Sequence, residues 1–364
     1  MTFYHILKTG QINRAFDGYP VKQNDKVVSV YDADTQRVFP IGEMSDIGKE
    51  EVYILKDEYD NYNAKIVYKE ILPTKEVKDK IKNLFHLGPL HLPANYTGID
   101  VAKKIFTSAT QVAVFDTAFH QTMPPKAYRY AIPKELYTTH NIRAYGFHGT
   151  SHKYVSEKAI EYLNNPKAKI ITIHLGNGSS MAAVDNGKCV DTTMGLGPLS
   201  GLIMGTRSGD IDATVIFHLV NQLGYDISQV DNLLNKKSGL LGLAGSSDMR
   251  DVKTEITKGN SDAILAYEMY AYRIKKYIGA YAAAMGGLNA VVFTGGIGEN
   301  DNTLRELILK DFEFLNMHID INLNNQTSKE IRAISTTDSI VKALVIPTNE
   351  ELEIALQCYK LLNV

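Results

Sequence analysis

The stretch that decides the fold is KIITIHLGNGSSMAAVDNGK, residues 169–188. The apolar run 169–173 predicts a buried strand, and the run 180–184 predicts a second one. Gly176-Asn177-Gly178 interrupt the pattern between them, so we expect a polar, flexible turn there. A further hairpin turn is expected at residues 185–188, because the Asn186-Gly187 pair tolerates the positive φ angles of a type I′ turn.

Strand-like and helical runs continue on both sides of this stretch. Upstream, residues 111–115 predict a short buried strand and residues 151–163 a helix. Downstream, residues 263–285 predict a long helix that Gly286-Gly287 end, followed by a buried strand at 290–294 and a helix at 303–309. Strand–hairpin units mixed with long helices indicate an α/β fold.

The N-terminal part of the chain has a different composition. Residues 1–70 are rich in Asp, Lys, Asn and Tyr, and three short runs within them predict strands: 26–31, 51–55 and 65–68. A helix is then expected from Thr74, because four apolar side chains share one helical face: Val77, Ile81, Leu84 and Phe85.

Length and composition exclude several classes of protein. A length of 364 residues suggests about two domains. The 39 Lys and Arg against 41 Asp and Glu leave a net charge of -2, which gives no electrostatic footprint for nucleic acid or an anionic membrane. There is no apolar run of about 18 residues and no signal-peptide pattern. Two distant cysteines, Cys189 and Cys358, suit a reducing compartment, so we expect a cytoplasmic protein.

Two glycine-rich turns are candidates for anion binding. Residues 294–300, Thr-Gly-Gly-Ile-Gly-Glu-Asn, follow a predicted strand and precede a helix, where backbone N–H groups can approach a phosphate. Residues 174–180 form the polar turn between two strands, which can surround phosphate oxygens in the same way. Each turn could also be an ordinary tight turn without a ligand.

Charged and imidazole side chains supply the candidate catalytic groups. Arg207 lies between glycines, where its planar guanidinium could bind phosphoryl oxygens or pair with Asp210 or Asp212. Asp116 follows a predicted strand and is either a ligand-binding carboxylate or a helix cap. His148 suits a donor to a phosphoryl group, whereas His152 is expected to be an exposed residue of a first helical turn.

The segment 347–352 predicts a helix start. Thr348 and Glu351 fit a capping box, which leaves Glu350 free. A carboxylate at a helix start can bind Mg²⁺, which prefers one or two carboxylates together with substrate oxygens and water.

In order along the chain, these segments resemble the acetate kinase family, which belongs to the sugar kinase, Hsp70 and actin superfamily. The resemblance extends from about residue 74 to the end of the chain and is carried by seven segments: 87–91, 115–124, 145–152, 174–178, 204–210, 296–300 and 347–352. Any one of them alone is weak, but their common order is highly specific.

The resemblance implies two ribonuclease-H-like domains with an interdomain active site. The first would comprise residues 1–117 plus 351–364, and the second, which binds the nucleotide, residues 118–350. It also implies a homodimer and the reversible, Mg²⁺- or Mn²⁺-dependent transfer of the ATP γ-phosphoryl group to acetate or another short carboxylate, giving ADP and an acyl phosphate.

The resemblance further assigns roles to individual residues. Asp116, His148 and Arg207 would be catalytic, Glu350 would bind the metal, and Leu90, Phe147 and Pro198 would line the acyl pocket. The nucleotide would be bound by three groups: His174, Leu175, Gly176, Asn177 and Gly178; Asp248, Met249 and Arg250; and Gly296, Ile297, Gly298, Glu299 and Asn300. Phosphoryl transfer mainly needs positioning and cationic groups, so no covalent protein nucleophile is required.

The sequence departs from the family pattern in several places. It lacks the usual first strand with its Asn-x-Gly-Ser-Ser-Ser phosphate hairpin and the Arg-Val-Val-His-Gly-Gly segment, and it has Leu92 in place of Asn and Ser200 in place of Glu. We therefore expect an incomplete first domain. Two hypotheses follow: an active acetate kinase, or a propionate- or butyrate-specific relative of one, and a degenerate kinase-fold protein that binds nucleotide or a partner without turnover.

Overall fold

The computed structural model describes residues 2–6, 12–23, 26–32, 37–40, 52–55, 74–85 and 92–362. The chain divides into two compact units, Met1–Val77 and Lys78–Val364. The division into domains at residues 117 and 350 stays a prediction. The predicted strand at 65–68 and the predicted pocket residue Leu90 lie outside the described residues.

The first unit contains a sheet of short antiparallel strands. Its strands lie in the order β4-β3-β2-β1-β5, with bounds β1 Thr2–Ile6, β2 Ile12–Gln23, β3 Lys26–Asp32, β4 Arg37–Pro40 and β5 Val52–Leu55. The strands predicted at 26–31 and 51–55 are confirmed as β3 and β5.

The described residues after β5 form fourteen α-helices and two 3₁₀ helices, besides the strands of the second unit. The first is α1 Lys75–Asn83, followed by α2 Leu92–Ile105, a 3₁₀ helix at Ala118–Thr122, α3 Pro125–Tyr128, α4 Lys134–His140 and α5 Gly149–Leu163. The next group is α6 Thr214–Asn221, α7 Ile227–Lys236, α8 Gly239–Ala244, α9 Met249–Thr257 and α10 Ser261–Met285. The last are α11 Gly295–Asn300, α12 Asn302–Leu309, a 3₁₀ helix at Glu313–Leu315, α13 Ile321–Asn325 and α14 Glu350–Leu362.

A six-stranded mixed sheet organises the second unit. Its order is β10-β11-β9-β6-β7-β8, with β6 Lys169–Leu175, β7 Ser179–Asp185, β8 Lys188–Thr192, β9 Ala290–Thr294, β10 Arg332–Ala333 and β11 Lys342–Val345. β6 and β11 each run parallel to β9, whereas β6, β7 and β8 form antiparallel neighbours. The predicted turn is confirmed, with φ of +52° at Asn186 and +73° at Gly187.

Side chains alternate between the two faces along each strand, and a hydrophobic core packs against each face. Ile171 and Ile173 belong to the core that contains α10, whereas Ile170 belongs to a second core that contains Val155 and Ala159 of α5. Helix α10 confirms the helix predicted from 263 to 285, and Gly286 ends it with φ of +65°. The strands that flank the hairpin at 176–178 are thereby packed on both faces.

Three local predictions are wrong. Residues 111–115 form no strand, because no described strand pairs with them. The glycine-rich segment after β9 is the short helix α11 and not an open loop. Asn349, not Thr348, caps α14, since its Oδ1 accepts from the Leu352 N–H at 2.9 Å, while the Thr348 hydroxyl accepts from Ser151.

Candidate active site

A cavity of about 720 Å³ opens where β6 and β9 end. The hairpin after β6, the start of α9 and helix α11 surround it, as expected at the carboxyl ends of parallel strands. It brings together eight of the predicted nucleotide-binding residues: Gly176, Asn177, Asp248, Met249, Arg250, Gly296, Ile297 and Asn300. Three further residues complete the lining: Ser247, Lys253 and Asp301.

Three other predicted nucleotide residues are not part of this lining. Leu175 is fully buried in the core, and Gly298 is buried within α11. The Glu299 carboxylate accepts hydrogen bonds from the Gly295 N–H at 3.0 Å and the Thr348 N–H at 3.3 Å. These residues shape the cavity through the backbone that they support.

Glycine is required where α11 begins. Gly295 has φ of +77°, and a Cβ there would lie 2.7 Å from the Leu175 carbonyl oxygen. Gly296 has no neighbouring atom within 4 Å of its Cβ position. A methyl group at residue 296 would therefore not clash with the described parts of the protein outside its own helix and chain neighbours.

One wall of the cavity carries paired charges. The Asp248 carboxylate caps α9 and pairs with Arg250 at 2.5 Å, and this hydrogen-bonded partner holds the pKa of Asp248 below its usual range. Lys253 Nζ lies 2.7 Å from Asp301 Oδ1. Both signs of charge are therefore available to a polar ligand.

Arg207 reaches the hairpin from the opposite side. Its Nη1 donates to the Pro198 carbonyl oxygen at 2.6 Å, and it forms no ion pair with any described residue. A Cβ placed on Gly178 would lie 2.7 Å from Arg207 Nη2 and 3.2 Å from His148 Nε2. Asp210 instead contacts Arg273 and Tyr277, so the structural alternative of an Arg207–Asp210 pair is not found.

His148 is fixed from three sides. It has φ of +56° immediately before α5, its ring stacks on His174 at 4.4 Å, and its Nδ1 lies 2.8 Å from Ser180 Oγ. Burial, followed by the nearby charge of Arg207, lowers the pKa of His148 to about 4. The imidazole is therefore neutral at pH 7, with Nε2 left to face the space at Gly178.

Asp116 and Glu350 form an acidic pair beside this space. The Asp116 carboxylate accepts from the His148 N–H at 2.6 Å and the Thr150 N–H at 3.2 Å, so it also caps α5. Burial and then the charge of Asp116 raise the pKa of Glu350. Neither carboxylate forms an ion pair with a described residue, so both remain available to a cationic ligand.

The protein does not supply a complete metal site by itself in the described part of the chain. No group of three or more His, Cys, Asp or Glu side chains there could hold an ion. Mg²⁺ suits such a site, because it commonly takes one or two carboxylates and completes its shell with substrate oxygens and water.

Sequence reasoning missed His152, and its expected exposure is wrong. The ring is fully buried, with Nδ1 2.7 Å from Thr172 Oγ1 and Nε2 2.8 Å from Ser180 Oγ. The signal was present: His148 and His152 are four residues apart and so share a helix face with the buried Val155 and Ala159. His120 is equally buried, and its Nε2 contacts the Phe147 carbonyl oxygen at 2.9 Å.

A nucleotide-sized cavity whose glycine hairpin ends at an unpaired arginine and a neutral histidine is typical of a phosphotransferase. The model of the acetokinase family matches residues 63–356. The acetate kinase of Flavobacterium johnsoniae is 60% identical over 290 residues, covering 80% of this chain and 73% of that protein. That of Bacteroides thetaiotaomicron is 54% identical, covering 78% and 72%.

Solved structures give the same result. A crystal structure of Porphyromonas gingivalis acetate kinase superposes with a TM-score of 0.77 at 38% identity, covering 95% of this chain and 96% of that one. A Francisella tularensis propionate kinase gives 0.75 at 37% identity, covering 90% and 94%. The chain belongs to the acetokinase family.

Proposed function

We propose that this protein is a phosphotransferase that moves the γ-phosphoryl group of ATP reversibly to acetate, giving ADP and acetyl phosphate. The relatives at 60% and 54% identity are named acetate kinase, whereas the propionate kinase among its structural neighbours is 37% identical. Acetate is therefore favoured over propionate as the acceptor.

One observation carries the proposal: the hairpin 176–178 lines the cavity at one end and faces the proposed catalytic side chains at the other. Gly176 and Asn177 line the 720 Å³ cavity, and Gly178 faces Arg207 Nη2 and His148 Nε2. A nucleotide in the cavity would therefore extend its terminal phosphate along the hairpin toward a cation and an imidazole.

The chemistry needs no covalent intermediate on the protein. An acetate oxygen attacks the γ-phosphorus, a new O–P bond forms, and the bond to the departing ADP oxygen breaks. Arg207 and His148 would donate hydrogen bonds to the phosphoryl oxygens as charge redistributes. Phe147 and Pro198 would contact the acetate methyl group.

Asp116 and Glu350 would hold the metal, Mg²⁺ or Mn²⁺. When bound, such an ion neutralises phosphate charge and orients the transferring group. The support is the pair of carboxylates without a basic partner among described residues and the raised pKa of Glu350.

The test is acyl phosphate formation from ATP and acetate, trapped with hydroxylamine. Arg207→Ala should lower kcat by about 10²- to 10³-fold, because the lost donor acts on the transferring phosphoryl group. ADP binding and thermal stability should remain. Arg207→Lys should recover little, since a point charge cannot reproduce the planar fork. An Arg207→Ala protein that unfolds, or one with unchanged kcat, would contradict this role.

We also propose a cytoplasmic homodimer. Large apolar side chains are exposed in residues 215–227, where Phe217 is 60% and Ile227 67% exposed, and Tyr272 on α10 is 64% exposed. Both cysteines are free, which suits a reducing compartment. No described helix has the length and apolarity needed to cross a membrane. Sedimentation at micromolar concentration should show twice the 40.5 kDa chain mass, and a single-chain particle would refute the dimer.

A further inference from the structure

A line of buried hydrogen bonds leads from His148 away from the proposed phosphoryl site. His148 Nδ1 lies 2.8 Å from Ser180 Oγ, and Ser180 Oγ lies 2.8 Å from His152 Nε2. His152 Nδ1 in turn lies 2.7 Å from Thr172 Oγ1. The side chains of Ser180, His152 and Thr172 are all fully buried.

The fold brings these four side chains together from three elements. His148 and His152 stand one turn apart at the start of α5. Thr172 lies on β6 and Ser180 on β7, and the register pairs Thr172 with Ala182 and His174 with Ser180. Because residues two apart share a sheet face, both hydroxyls point toward α5.

Each contact in this line shares one hydrogen. Because each neutral group along it donates once and accepts once, all the donors point the same way along the line. Burial lowers the pKa of His152 well below its usual value, so this ring is neutral and carries one ring hydrogen. A neutral His152 donates from one nitrogen and accepts at the other. The state of Thr172 therefore decides which nitrogen of His148 is protonated.

Two orders of donor and acceptor are possible along this line, and they place the His148 hydrogen on different ring nitrogens. In one, Thr172 donates to the Ala182 carbonyl oxygen, and His148 carries its hydrogen on Nδ1. In the other, Thr172 donates to His152, His152 to Ser180, and Ser180 to His148 Nδ1, which leaves the hydrogen on Nε2.

The second order gives up only one weak hydrogen bond. Thr172 Oγ1 is 3.4 Å from the Ala182 carbonyl oxygen but 2.7 Å from His152 Nδ1. An O–H···O contact of 3.4 Å is weak, so the hydroxyl loses little by turning to His152. Moreover, Arg207 donates to Pro198 and makes no hydrogen bond to His148, so no described donor occupies a lone pair on Nε2.

We propose that Thr172, His152 and Ser180 are positioning residues that hold His148 as its Nε2–H tautomer, aimed at the transferring phosphoryl group. This inference rests on the proposed function only for the identity of the group that His148 meets. The three residues do not touch the substrate. They act by ensuring that Nε2 donates, because a bare Nε2 lone pair would repel a phosphoryl oxygen.

Two substitutions at Thr172, the residue of the line farthest from His148, test the proposal. Thr172→Val is nearly isosteric and removes the first donor, so kcat should fall about 10-fold or more while KM for ATP and acetate stays unchanged. Thr172→Ser keeps the hydroxyl and should retain kcat. Ser180→Ala should lower kcat further, by up to about 10³-fold. Ser156→Ala is the control, because it removes a buried hydroxyl of α5 that contacts only the Lys153 carbonyl oxygen.

The tautomer itself is read from ¹⁵N chemical shifts of histidine-labelled protein, which separate protonated from unprotonated ring nitrogens. The expected result is a hydrogen on His148 Nε2 that becomes mixed between Nδ1 and Nε2 in Thr172→Val. A hydrogen on Nδ1 in the parent protein, or equal kcat in the Val and Ser variants, overturns the proposal. If the parent makes no acyl phosphate, the proposed function fails, but the NMR result still decides the tautomer.

Discussion

Gly178 is the residue at which the two halves of the proposed site meet. Its Cβ position lies 2.7 Å from Arg207 Nη2, closer than real Cβ contacts allow, and 3.2 Å from His148 Nε2. Its φ is not in the left-handed region, so the backbone itself accepts alanine. The restriction at this residue therefore comes from the limited space beside the Arg207 and His148 side chains.

Gly178→Ala should consequently fold but lose activity. The added methyl group displaces the guanidinium of Arg207, so kcat should fall at least about 10-fold, with a smaller change in KM for ATP. The measurement is steady-state acyl phosphate formation beside a thermal melt. Gly98→Ala is the control, because Gly98 on α2 is exposed and has no atom within 4 Å of its Cβ position. Equal kcat in Gly178→Ala and Gly98→Ala would contradict the close approach of residue 178 to Arg207.

Helix α14 is held against α5 by a buried charge pair. Lys153 Nζ lies 2.6 Å from Glu353 Oε1, and the Glu353 side chain is only 1% exposed. Gln357 donates to the same oxygen at 2.9 Å. Because Glu350 is the first residue of α14, this pair also fixes the proposed metal-binding carboxylate.

Removing the lysine should be costly because it leaves a carboxylate buried without its cation. Lys153→Met should lower the free energy of unfolding by about 3–5 kcal/mol, and adding Glu353→Gln should recover much of it. Urea denaturation measures both. In the control Lys158→Met, the lost partner Glu161 is 65% exposed, so the change should stay below about 1 kcal/mol. Equal losses at the two lysines would contradict the buried pair.

At the scale of the whole molecule, four histidines with lowered pKa values make stability depend on pH. Burial lowers the pKa of His120 and His148 to about 4 and of His174 to about 3, and that of His152 lies well below its usual value. In the unfolded chain these groups titrate near about 6.5. Between these values the unfolded state binds more protons than the folded state.

Stability should therefore fall as the pH decreases from about 6.5 to 5. The expected slope is up to about 1.4 kcal/mol per pH unit for each histidine that stays neutral in the folded state. Urea denaturation at several pH values measures it. His218→Gln, at an exposed position on α6, should leave the slope unchanged. A free energy of unfolding that is flat from pH 7 to 5 would show that these rings protonate without unfolding.

Sequence alone determined the features that depend on local chemistry. The strands around 169–188, the Asn186-Gly187 turn and the long helix ended by Gly286 follow from side-chain periodicity and from the φ angles that glycine and asparagine accept. Five of the predicted nucleotide-binding residues line one cavity because the two glycine-rich segments that contain them follow strands ending at one edge of the sheet: Gly176, Asn177, Gly296, Ile297 and Asn300.

Only the tertiary structure decided what each polar side chain contacts. Asp116 caps a helix 32 residues further along the chain, and residues 111–115 found no strand partner. His152 was expected at the surface, yet the sheet behind α5 buries it and supplies two hydroxyls. Hydrogen-bond partners distant in sequence leave no periodic pattern, because they depend on which strands and helices pack together. The sequence therefore predicted the candidate catalytic groups, and the fold determined the burial and contacts that set their protonation.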